Sequence, residues 1–91
     1  MTDHRYTFFL EFDGGTFISQ LESKALERAR DMWVKQVDFF EIGAPEESRS
    51  NFEVDAVQEE LTVIKDVKNV WCFSPEINGM LAIVHVVKSE I

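Results

Sequence analysis

Apolar and polar residues alternate at the start of the chain. Tyr6, Phe8, Leu10 and Phe12 fall on one side of an extended strand, and Phe17, Ser19 and Leu21 on one side of a second. Between the two runs lie Asp13-Gly14-Gly15, residues that readily take the positive φ of a tight hairpin. With Gly14-Gly15 as the loop, Phe12 faces Phe17 and Phe8 faces Leu21. With Asp13-Gly14 as the loop, the pairing moves by two residues and the faces are unchanged.

From Ser23 the period lengthens. Ala25, Ala29, Met32, Trp33, Val37 and Phe40 recur at spacings of three and four, which predicts a helix over 24–40, ended by Gly43-Ala44-Pro45. Ser50-Asn51-Phe52-Glu53 fits a capping box for a second helix over 51–65, with Val54, Val57, Leu61 and Ile64 as its buried stripe. The chain closes on a second hairpin, Asn69–Ser74 and Met80–Val87 around Asn78-Gly79. The Met80–Val87 run is apolar on both faces except at His85, as a central strand is, and is placed beside the first strand. The expected class is α+β: a ββααββ domain over residues 1–91, with a four-stranded antiparallel sheet in order 2-1-4-3 and both helices on one face.

That arrangement leaves one sheet face open. Phe9 and Ile18 point away from the helix-covered side of the first hairpin. The second hairpin is apolar on both faces, with Trp71, Phe73, Val84 and Val86 on one and Val70, Cys72, Leu81, Ile83 and Val87 on the other. Whichever side the helices take, the open surface is apolar unless the 41–50 linker folds over it or a bulge reorients the strand. Such surfaces mark interfaces. The pattern therefore predicts a homodimer through the sheet, with Phe9, Ile18, Trp71 and Phe73 as contact residues.

Composition narrows the class. A chain of 91 residues with 45% hydrophobic content and eight Phe has a core to build on, which sets it apart from disordered sequences. Cys72 is the single cysteine, so no internal disulfide forms, and no signal-peptide pattern or membrane-length apolar run is present. These features suit the cytoplasm. The net charge of −8 opposes generic binding to nucleic acid or anionic membrane. The charge is also concentrated: Asp38, Glu41, Glu46, Glu47, Glu53, Asp55, Glu59 and Glu60 face Arg49 alone within 38–60, which gives that segment −7.

Candidate chemistry is sparse. Cys72 and His85 sit directly opposite if Asn78-Gly79 is a two-residue loop, and an imidazole beside a thiol can activate it. The pattern supplies no orienting carboxylate and no oxyanion hole, so they read as packed strand residues. Gly14-Gly15 joins two strands and lacks the companion Gly and Lys of a phosphate loop. His4 and His85 are far apart in sequence, and the adjacent pairs Glu46-Glu47 and Glu59-Glu60 direct their side chains apart. No catalytic residue, cofactor or metal is expected.

The opening hairpin running into Ala25-Leu26-Glu27-Arg28-Ala29 is similar to the start of HicB-type antitoxins. It lacks the third strand that family places before the helix, and no functional residue carries over. The expected function is a small acidic, non-catalytic protein-binding domain, an immunity- or antitoxin-like inhibitor of a basic partner. Its partner-binding face would comprise Glu46, Glu47, Glu53, Asp55, Glu59 and Glu60. The alternatives are a self-associating structural or adaptor domain, and a small-ligand binder or enzyme with a pocket between sheet and helices.

Overall fold

Asp13 and Gly14 both take left-handed backbone, with φ of 50° and 83°. This is the type I′ geometry whose twist matches that of the flanking strands. In the computed structural model, which describes residues 3–89, the turn joins β1 (His4–Phe12) to β2 (Gly15–Ser23). The pairing runs Phe12–Gly15, Leu10–Phe17, Phe8–Ser19 and Tyr6–Leu21, so Asp13-Gly14 is the loop that forms. The chain continues through helices α1 (Leu26–Gln36) and α2 (Phe39–Ile42), then a 3-10 turn (Glu46–Ser48) that runs into α3 (Arg49–Gln58). Strands β3 (Thr62–Val63), β4 (Val70–Phe73), β5 (Glu76–Ile77), β6 (Met80–Leu81) and β7 (Ile83–Ser89) complete it.

The architecture is mixed α+β around an antiparallel sheet of five strands, in the order β2-β1-β7-β4-β3. The expected four-stranded sheet gains an edge because Thr62 and Val63 pair with Cys72 and Trp71 instead of extending a helix. Strands β5 and β6 form a separate two-stranded ladder around Asn78 and Gly79, whose φ values of 53° and 77° make a second type I′ turn. They keep the register of β4 and β7, and the Ala82 N–H donates to the Pro75 carbonyl (2.9 Å) between the two ladders. The last hairpin is thus one long ribbon interrupted at Pro75, which has no N–H to give.

Both helix expectations need correction. The first helix stops at Gln36, because Val37 and Asp38 are extended (ψ 126° and 99°) and Asp38 starts a new turn. Its carboxylate accepts from the Glu41 N–H (3.2 Å), while Gly43 (φ 79°) closes α2 at the other end. The restart rotates the face: Phe39 is buried and Phe40 is 93% exposed. Asp38→Ala is expected to lower stability by about 1 kcal/mol, and thermal denaturation should show a Tm reduced by roughly 4–8 °C. The second helix spans Arg49–Gln58, so Ser50 lies inside it and Leu61 and Ile64 lie beyond it. Its buried residues are Phe52 and Ala56, and Val54 and Val57 face solvent.

One cluster of buried side chains lies between the sheet and the helices. Tyr6, Phe8, Leu10, Phe12, Val84, Val86 and Phe73 meet Ala29, Trp33, Val34, Phe39, Phe52 and Ala56. Trp33 lies at its centre, stacked on Phe8 (5.1 Å between centroids, 5° between planes) and edge-on to Phe52 and Phe73. Burial, with the Glu27 charge adding to it, pushes the Tyr6 hydroxyl above the ordinary phenol value near 10.

The register also corrects the expected contact face. Val84 and Val86 pair with Leu10 and Phe8 on the helix-covered side of the sheet, and Phe73 and Trp71 pair with Val84 and Val86. Phe73 is therefore buried against Trp33, and Trp71 packs on the margin of the same core. Neither stands on the open face. Phe9 and Ile18 do, beside Ile83, His85, Val87, Val70 and Cys72.

Candidate functional site

The six expected partner-binding carboxylates fall in three places. The 3-10 turn and the first turns of α3 set Arg49 between two carboxylates: its guanidinium bonds Glu46 and lies 3.9 Å from Glu53. The same side chain donates to the Val37 carbonyl (2.7 Å) and covers the Phe39 ring at 4.4 Å. Arg49 thus ties α3 to the end of α1, and its single positive charge is shared between two of the six expected partner-binding carboxylates. Exposed pairs of this kind add little stability by themselves, but they lower the local field.

Glu47 and Asp55 lie on another side of the helix, facing the tip of the last hairpin. Asp55 Oδ2 accepts from the Glu76 N–H (2.8 Å), which fastens that tip to α3. The contact brings in Glu76, a residue that sequence reasoning did not single out. Its only signal was its place one residue after Pro75, on the hairpin arm. Glu47, Asp55 and Glu76, with Ser48, Asn51, Asn78 and Gly79, line an open groove with no Lys, Arg or His in its wall. Glu59 and Glu60 are apart from this groove. They follow the helix and border a shallow surface with Thr62, Ile64, Cys72 and Ser74 at the β3 end of the sheet. Arg30 reaches this corner and donates to the Glu59 carbonyl (3.3 Å).

On the open sheet face, Ile18, Phe9, His85, Cys72 and Thr62 form one row across all five strands. Cys72 and His85 are direct neighbours. The Lys88 N–H to Asn69 carbonyl bond and the Ala82 N–H to Pro75 carbonyl bond flank them, and alternation makes Cys72–His85 a non-hydrogen-bonded pair with closely approaching side chains. Among the described residues no carboxylate lies within ion-pairing distance of His85. The patch is less apolar than expected, because Trp71 and Phe73 face the helices. Its exposed large residues include Ile18 and Ile83, at 61% and 41%, and Leu81 at 65% continues the same side of the last hairpin.

A cavity of about 80 Å³ lies where Leu10, Phe17 and Ser19 meet Trp33, Val37 and Ile42, far below the roughly 300 Å³ at which small-molecule pockets begin. No group of three or more His, Cys, Asp or Glu side chains among the described residues is gathered closely enough to hold a metal ion. No helix among them is long and apolar enough to cross a membrane. No protein-family model, curated protein or solved structure matches the chain, so the resemblance of the opening hairpin assigns no family and the geometry of these surfaces carries the functional argument.

Proposed function

We propose that this chain is a non-catalytic protein-binding domain of the cytoplasm that offers the acidic groove between α3 and the hairpin tip to a basic protein, inhibiting it as an immunity protein or antitoxin does. The observation that carries this reading is the convergence of Glu47, Asp55 and Glu76 on a groove without a basic side chain in its wall. A surface of one sign attracts an oppositely charged partner, speeds encounter and rejects acidic competitors. Glu59 and Glu60 extend the negative field beyond the groove, whereas Glu46 and Glu53 spend part of theirs on Arg49.

The test is charge reversal at positions that do not hold the fold. Asp55 is left alone because it secures the Glu76 backbone. Glu47→Lys, Glu60→Lys and Glu76→Lys all replace exposed residues, and surface changes of this kind cost little stability. The triple variant is expected to keep the parent's circular dichroism and Tm and to lose capture of the basic partner. A variant that binds as well as the parent would end this reading.

A second reading has its own support: the chain self-associates into a homodimer on the sheet side. Helices cover only one face of the sheet, and Phe9, Ile18 and Ile83 lie on the other. The two readings use different surfaces and are compatible.

A further inference from the structure

We infer that two copies of this chain join through the free edge of β2, each β2 pairing antiparallel with its twin about Ser19, so that two five-stranded sheets become one. The inference rests on the reading that the chain self-associates, and it sets the contact at the edge of the sheet instead of on its open face.

The two edges of the sheet are built differently. At one end β3 has two residues and is followed by Lys65, Asp66 and Lys68, the short and charged design that discourages further pairing. At the other end β2 has nine residues, all in regular register with β1, with no Pro, no Lys and no bulge. In a two-residue hairpin the loop-closing pair, here Phe12–Gly15, is hydrogen-bonded. Odd-numbered residues of β2 therefore bond β1, and Thr16, Ile18, Gln20 and Glu22 turn their N–H and C=O groups outward. These four residues are exposed. The free ladder is about 30 Å long.

The sequence of β2 favours a second copy as the occupant. Pairing about Ser19 uses the whole strand. It sets Ile18 against Gln20 and Thr16 against Glu22 on the open face, and Phe17 against Leu21 on the helix side, each pair occurring twice by symmetry. No like charges face each other along the two strands. Phe17 and Leu21 are only partly covered by their own core, and each gains an apolar partner. Centring the pairing on Ile18 or Gln20 instead leaves both facing Ser or Gly.

The experiment uses the full chain. In a Cys72→Ser background, Ser19→Cys places two thiols on the two-fold axis, where a non-hydrogen-bonded pair has Cα atoms about 4.5 Å apart, within disulfide reach. Oxidised glutathione should convert the two thiols to one interchain disulfide, itself being reduced to two molecules of glutathione. A covalent dimer is expected on a non-reducing gel. Gln20→Cys in the same background should give little, because its twin lies more than about 7 Å away. By light scattering the parent should run at twice its 10.5 kDa mass. Ser19→Lys, which sets two ammonium groups face to face, should run at 10.5 kDa. Gln20→Pro removes an outward N–H and keeps the backbone bonds to β1, at the loss of the Gln20 Nε2 to Thr7 Oγ1 bond (2.9 Å), and should do the same. A dimer that survives both changes, fails to cross-link through Ser19→Cys and dissociates with Phe9→Glu would move the contact to the open face and overturn the edge assignment alone. A parent that runs at 10.5 kDa at every concentration would overturn self-association as well.

Discussion

Trp33→Ala is expected to remove about 3–5 kcal/mol of stability, the cost of deleting a large buried aromatic. Trp33 is 3% exposed and is the residue through which the layers meet. Its indole stacks on Phe8 of β1 and meets Phe73 of β4 and Phe52 of α3 edge-on. Truncation therefore loses packing to two strands and a second helix at once, and aromatic pairs add roughly 0.5–1.5 kcal/mol each beyond area burial. The 80 Å³ cavity beside Trp33 shows that the core already has an opening there, which the truncation would enlarge. Small domains hold only about 5–15 kcal/mol in total, so the variant should sit near the edge of folding. Urea denaturation followed by tryptophan fluorescence from Trp71 would measure it. A loss below about 1 kcal/mol would mean that Trp33 does not join the layers.

Phe52→Ala should cost a similar amount, about 3–5 kcal/mol, whereas Val54→Ala and Val57→Ala should each cost less than about 0.5 kcal/mol. Phe52 is fully buried, edge-on to Trp33 and tilted against Phe39 at 5.4 Å. Val54 and Val57 are 58% and 40% exposed. The contrast discriminates between the two phases the helix could take. If the valines cost more than the phenylalanine, α3 packs on the stripe that periodicity alone suggests. Denaturation of the three variants side by side decides it.

That contrast also shows what could be read from the sequence. Turns were legible because their demand is local: Asp13-Gly14, Gly43 and Asn78-Gly79 all take the positive φ their residue types favour. Strand alternation was legible for the same reason. The phase of α3 was not, because apolar residues at Phe52, Val54, Ala56 and Val57 surround much of its circumference, and only tertiary contact selects the side that buries the largest ring. The break at Asp38 carried a signal that the longer periodicity masked, since Asp38 followed by Glu41 three residues later is a helix-start pattern in its own right. The faces of the last hairpin were ambiguous because both are apolar. Pairing of Val84 and Val86 with Leu10 and Phe8 settles which one meets the helices.

The acidic site was legible as charge and illegible as geometry. Clustering along the chain located the negative segment, but helix periodicity and two side-chain contacts divide it. Arg49 draws Glu46 and Glu53 to one side, and Asp55 draws Glu76 into the groove from a distant strand. A pairing of side chain to backbone across 21 positions leaves no trace in local pattern. Glu47, Asp55 and Glu76 are the group on which the functional proposal stands.

The most direct test of that proposal is affinity capture from the native cell extract at low and then high salt, with the parent and the Glu47→Lys, Glu60→Lys, Glu76→Lys variant run in parallel and the eluates identified by mass spectrometry. One basic protein should be retained by the parent at low salt, released as salt screens the groove, and missing from the variant. The same proteins on both chains, or retention indifferent to salt, would contradict it.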